Sequence, residues 1–105
     1  MPPQNPYINS RADFAPTVGD ALAIVAKLIK EMPGWSVLEE IEIQLDSMQR
    51  WTANGRDPTD DEKKRISVGL LAVRELEPAA TDEIYQLTDR LHSIQYAFRH
   101  WDEYT

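Results

Sequence analysis

Residues 17–32 read TVGDALAIVAKLIKEM, and their apolar side chains Val18, Ala21, Leu22, Val25, Leu28, Ile29 and Met32 recur at steps of three and four. An α-helix turns once in 3.6 residues, so this spacing gathers them on one helical face. Pro33-Gly34 ends the run, because the residue before a proline leaves the helical region and glycine accepts a left-handed turn.

The same period continues downstream. Ser36 precedes Glu39 by three positions, the spacing of a reciprocal N-terminal cap, and Leu38, Ile41, Leu45, Met48 and Thr52 then form an inward stripe that stops at Asn54-Gly55. Thr59 and Glu62 repeat the cap before a third helix carrying Ile66, Leu70, Val73 and Leu76. Gly69 inside that helix costs about 1 kcal/mol against alanine, which predicts a neighbouring helix passing close by. Pro78 breaks the segment, and Thr81 caps a last helix bearing Ile84, Leu87, Leu91, Ile94, Phe98 and Trp101. No run alternates with the period of a strand. Short connections between amphipathic segments then predict an all-α fold, a small antiparallel bundle of about four helices over residues 17–105.

Upstream, residues 1–16 hold four of the seven prolines and no period can be laid over them, so they read as an extended or disordered N-terminal arm. They lack the basic and apolar regions of a secretion signal, and no stretch approaches the roughly 20 apolar residues of a membrane span. The expected location is the cytoplasm. The absence of cysteine fits a reducing compartment and removes disulfides and thiolate metal sites from consideration.

The chain has 105 residues, enough for one domain, and an apolar share of 42% against 28% charged places it among folded proteins. Its formal charge of −7 disfavours nucleic acid and anionic membrane surfaces and favours a cationic protein partner; general solubility accounts for the same acidity.

Chemistry-bearing constellations are missing. His92 and His100 are eight apart on the last helix, about 80° around its axis and more than two turns along it, so they cannot share a metal ion unaided. No serine lies in a nucleophile elbow or at a useful helical spacing from a histidine, and four scattered glycines make no phosphate loop. The expectation is a protein without enzymatic activity, cofactor, metal or small-molecule substrate.

What stands out is charge and aromatic content on the second helix. Glu39, Glu42 and Asp46 form an acidic stripe oblique to the apolar one, with Arg50 four residues beyond Asp46 to offset part of the repulsion. A partner's Lys or Arg would relieve the rest, and a solvated outer face explains the stripe equally well. Of the three tryptophans, Trp35 and Trp101 fit core or helix-end packing, whereas Trp51 lies off the apolar stripe; it reads either as an exposed anchor for association or as packing against another helix. Tyr96, His100 and Tyr104 extend a binding surface unless the last residues fray.

Residues 21–101 resemble a family of bacterial immunity proteins that neutralise an NAD(P)+ glycohydrolase toxin delivered by type VI secretion. The resemblance is carried by Ala21-Leu22-Ala23-Ile24-Val25, by Pro33-Gly34-Trp35 with Val37-Leu38, by Gln44-Leu45, and by Gly69-Leu70-Leu71-Ala72-Val73-Arg74-Glu75-Leu76. It implies a helical inhibitor that binds the cognate toxin domain of a secreted effector and covers its NAD-binding pocket. The charge and aromatic pattern of the second helix, and not the resemblance, supplies the expected toxin contacts: Glu39, Glu42, Asp46, Arg50, Trp51 and Trp35. The alternatives are immunity against a toxin of other chemistry, such as a nucleotide pyrophosphokinase, and a non-inhibitory helical adaptor.

Overall fold

The computed structural model describes residues 5–79 and 81–105. Helix α1 (Phe14–Glu31) buries Val18, Ala21, Val25 and Leu28, the centre of the predicted stripe, with Leu22, Ile29 and Met32 half-buried at its edges. It begins earlier than the prolines suggest. Pro16 sits in the first turn, where its missing N–H would have had no intrahelical partner, and Phe14 is buried against Phe98, ring centroids 5.9 Å apart.

Helix α2 (Ser36–Trp51) buries Leu38, Ile41, Leu45 and Met48 as the stripe requires. The predicted Ser36–Glu39 cap does not form. Half-buried Trp35 occupies the cap position in an extended conformation, so Ser36 already lies inside the helix. At the far end the Thr52 hydroxyl donates to the Met48 carbonyl at 2.8 Å, and Asn54 and Gly55 take positive φ values, 59° and 78°, that turn the chain away.

The Thr59 cap does form: the Glu62 N–H donates to the Thr59 hydroxyl oxygen at 3.1 Å and the Thr59 N–H donates to Glu62 Oε1 at 2.9 Å. The single helix expected from there to Leu76 is broken in two. Helix α3 (Asp60–Lys64) is followed by α4 (Val68–Leu71), which widens into a π turn (Ala72–Leu76) and closes with a 3-10 turn (Glu77–Ala79). Two glutamines hold the break open. The Ser67 N–H donates to Gln44 Oε1 of α2 at 2.8 Å, and Gln95 Nε2 of the last helix donates to the Ile66 carbonyl at 2.9 Å, satisfying backbone groups that a continuous helix would have paired. The register therefore shifts: Ile66 and Leu76 stay buried, Val68 and Ala72 join them, and Leu70 and Val73, expected in the core, are 55% and 52% exposed. Gly69 does face a close neighbour, since a Cβ there would lie 3.3 Å from Gln95 Cγ.

Helix α5 (Asp82–Arg99) is capped by Thr81, whose hydroxyl oxygen accepts from the Ile84 N–H at 3.2 Å. It buries Ile84, Leu87, Leu91, Ile94 and Phe98, and buried Trp101 opens a 3-10 turn (Trp101–Glu103) whose two acidic residues are exposed. Tyr104 is buried as well, and the Arg11 N–H donates to the Thr105 carbonyl at 2.9 Å, so the chain does not fray where the sequence allowed it.

Residues 5–13, assigned to the arm, pack on α5. Buried Asn5 donates through Nδ2 to the Ser93 carbonyl at 3.0 Å while its Oδ1 accepts from the N–H groups of Tyr7 and Ile8, and Ile8 enters the core. The part of the arm expectation that concerns residues 1–4 lies outside the described residues. Helix α1 packs on α2 and α5, and α4 packs between α2 and α5, with the short connections folding neighbours back on one another. The fold is a small all-α bundle without strands among the described residues.

Candidate protein-binding face

With Leu38, Ile41, Leu45 and Met48 directed into the core, helical periodicity turns Glu39, Ile43, Asp46 and Arg50 to the opposite side of α2, and all four are exposed. Glu42 lies at the edge of this face and is half-buried. Among the described residues none of Glu39, Glu42 or Asp46 forms an ion pair within 4.0 Å. Arg50 turns to Ser47, donating to its hydroxyl at 3.2 Å, while that hydroxyl donates to the Ile43 carbonyl at 2.9 Å. The stripe is thus an outward negative surface with its charge uncompensated from within.

Ile43 sits in the middle of that surface and is 59% exposed. Its position opposite the apolar stripe was readable from the sequence, yet a single apolar residue among carboxylates carries little weight without knowledge of what surrounds it. An isolated exposed isoleucine is ordinary on a protein surface; this one lies among carboxylates that form no ion pair among the described residues.

The structure does not bring the two tryptophans of α2 together. Trp35 precedes the first turn and Trp51 ends the last, about 24 Å apart along the axis at 1.5 Å per residue. Trp51 is half-buried and stacks on Phe98, ring centroids 6.3 Å apart, at one end of an aromatic series that continues through Phe14 to Trp101. Trp35 instead lines a surface groove of about 420 Å³ between α2 and the α4 segment, together with Ser36, Val37, Glu40, Leu71 and Glu75. Leu70 and Val73 project from that same segment.

Elsewhere the surface offers less. Exposed His100 stacks on Tyr96 at 4.2 Å and its Nδ1 lies 2.6 Å from Glu103 Oε2, while His92 lies along a separate groove beside Asn5 and Tyr7. Among the described residues no three histidine, cysteine or carboxylate side chains are grouped so that they could hold a metal ion, and no helix is long and apolar enough to cross a membrane.

No curated protein and no solved structure matches this chain. A family model described as Tsi6 matches residues 14–100, from the first residue of α1 to the end of α5, and so covers the whole helical framework that positions this face. The chain belongs to the Tsi6 family, a family of type VI secretion immunity proteins.

Proposed function

We propose that this chain binds the toxin domain of a cognate type VI secretion effector in the cytoplasm and obstructs its active-site cleft, the toxin being an NAD(P)+ glycohydrolase. The observation that carries the reading is the acidic face of α2 on a chain of the Tsi6 family: among the described residues Glu39, Glu42 and Asp46 stand together with no ion pair within 4.0 Å.

A pocket that takes up the pyrophosphate of a dinucleotide is electropositive, because it must present N–H groups and cations to the phosphates. A helix surface bearing uncompensated carboxylates is its electrostatic complement. The long-range field brings the two together quickly, and a desolvated centre holds them. Inhibition by obstruction needs no reacting group on the inhibitor, only that its surface occupy the volume the dinucleotide would fill.

The test is direct. Co-expression with the cognate toxin domain should yield a complex that survives purification, and titrating the chain into the free toxin domain should abolish NAD+ hydrolysis at one equivalent. Full hydrolysis at saturating chain refutes the reading. Depletion of a different nucleotide pool in unprotected cells would keep the immunity role and replace the toxin chemistry.

A further inference from the structure

The groove between α2 and α4 differs from the acidic stripe beside it because its lining combines apolar side chains with carboxylates. Trp35, Val37 and Leu71 are each half-buried, packed against the core on one side and open on the other. Two exposed carboxylates also line the groove, Glu40 on α2 and Glu75 on the π turn, and no lysine or arginine does. Glu40 accepts one hydrogen bond, from Gln44 Nε2 at 3.0 Å, and neither carboxylate is within 4.0 Å of a cation among the described residues. Adjacent to lining residues along their helices are two exposed apolar side chains, Ile43, one turn beyond Glu40, and Leu70, next to Leu71, 59% and 55% exposed.

The π turn contributes to this arrangement. In a continuous α-helix Glu75 would be rotated from Leu71 toward the buried side marked by Val68 and Ala72. A π turn closes i→i+5 and advances each residue through a smaller angle, which keeps Glu75 above Leu71 on the groove side. Such turns are uncommon and recur at functional positions.

We infer that this groove is the socket for one arginine side chain of the toxin, with apolar toxin residues covering Ile43 and Leu70 around it. The inference rests on the toxin-binding reading above and locates its centre. A guanidinium is planar and carries several N–H donors, so it can bridge two carboxylates while its face lies on an indole. Glu40, Glu75 and Trp35 line the groove with two carboxylates and an indole, and Val37 and Leu71 add apolar surface for the methylene stem. A lysine would meet the charge and leave the aromatic face and the second carboxylate less well used.

The experiment measures the Kd of the full chain for the purified toxin domain. The variants are the Glu40→Gln/Glu75→Gln pair, which keeps shape and removes charge, Leu70→Ser, and Asp20→Asn on α1 as a control for loss of an exposed acid. Melting curves establish that each variant is folded. The expected result is a Kd raised about 100-fold by the paired change and about 10-fold by Leu70→Ser, with Asp20→Asn within twofold of the unaltered chain. Unchanged affinity for the paired variant, with tight binding by the unaltered chain, overturns the socket and leaves the toxin-binding reading standing. No binding by the unaltered chain overturns both. Light scattering completes the set: a dimer of the chain alone that Leu70→Ser dissociates would assign the face to a second copy and overturn the inference.

Discussion

The backbone N–H of Gly69 donates to Gln95 Oε1 at 3.1 Å, and the other end of the same amide, Nε2, donates to the Ile66 carbonyl at 2.9 Å. One side chain of α5 thus ties down both the restart of α4 and the residue before its cap. Alanine in place of Gly69 would gain about 1 kcal/mol of helix propensity, but its Cβ would meet Gln95 Cγ at 3.3 Å, and Gln95 cannot retreat without giving up both bonds. Gly69→Ala should therefore lower stability by about 1 kcal/mol net, roughly a 5 °C fall in melting temperature for a domain of this size. In a Gln95→Ala background the same change should become neutral or stabilising, which a double-mutant cycle by thermal melting reads directly.

Trp51 has a packing role that its place in the sequence left open. Its ring lies on Phe98, which in turn stacks on Phe14. Trp51→Ala should destabilise the fold by about 2 kcal/mol, below the range for a fully buried tryptophan because the ring is only half covered. Urea unfolding measures this. An unchanged midpoint together with a Kd for the toxin domain weakened by two decades would assign the ring to the partner instead.

Glu62 links stability to acid. The hydrogen bond from Arg56 is the main influence holding its carboxyl below the ordinary range, partly opposed by burial and aided by the Thr59 N–H. A group whose folded pKa is depressed contributes stability that is complete above its unfolded value, about 4.3 for glutamate, and disappears as pH falls through the folded value. Glu62→Gln should thus be less stable than the unaltered chain at neutral pH, and the gap should close below about pH 4. A gap that stays constant to pH 3 in melting curves would contradict the assignment.

The stripe on α2 should act on encounter more than on residence. Reversing charge at Glu39, Glu42 and Asp46 together should slow association with the toxin domain about tenfold or more at low salt and flatten its salt dependence, with a smaller change in dissociation. Stopped-flow traces at several ionic strengths provide the check. Association kinetics that ignore the three substitutions would place this stripe in water.

The three long helices were legible because each carries an unbroken apolar stripe and its own stop, as in Ile84, Leu87, Leu91, Ile94 and Phe98. The Thr59 and Thr81 caps were legible as local signals, whereas the equally local Ser36–Glu39 spacing forms no cap because Trp35 takes the cap position. What the sequence hid is tertiary. The break between α3 and α4 depends on Gln44 and Gln95 reaching across from other helices, because Ser67, although it holds the cap position of α4, makes no side-chain cap of its own. Residues 5–13 lack periodicity, yet Asn5 and Ile8 anchor them through single contacts with α5 and the core. The acidic stripe was visible as charge spacing, whereas the groove beside it needs the π turn and the partnership of Glu40 with Glu75, residues 35 apart in the chain, and spacing cannot show that.

Obstruction of the toxin's active centre is read by equilibrium binding of a non-hydrolysable NAD+ analogue to the toxin domain, alone and saturated with this chain. Obstruction predicts mutually exclusive binding, with the analogue's apparent Kd rising in proportion to the concentration of free chain. An analogue that binds the preformed complex as tightly as it binds the free toxin would contradict the account.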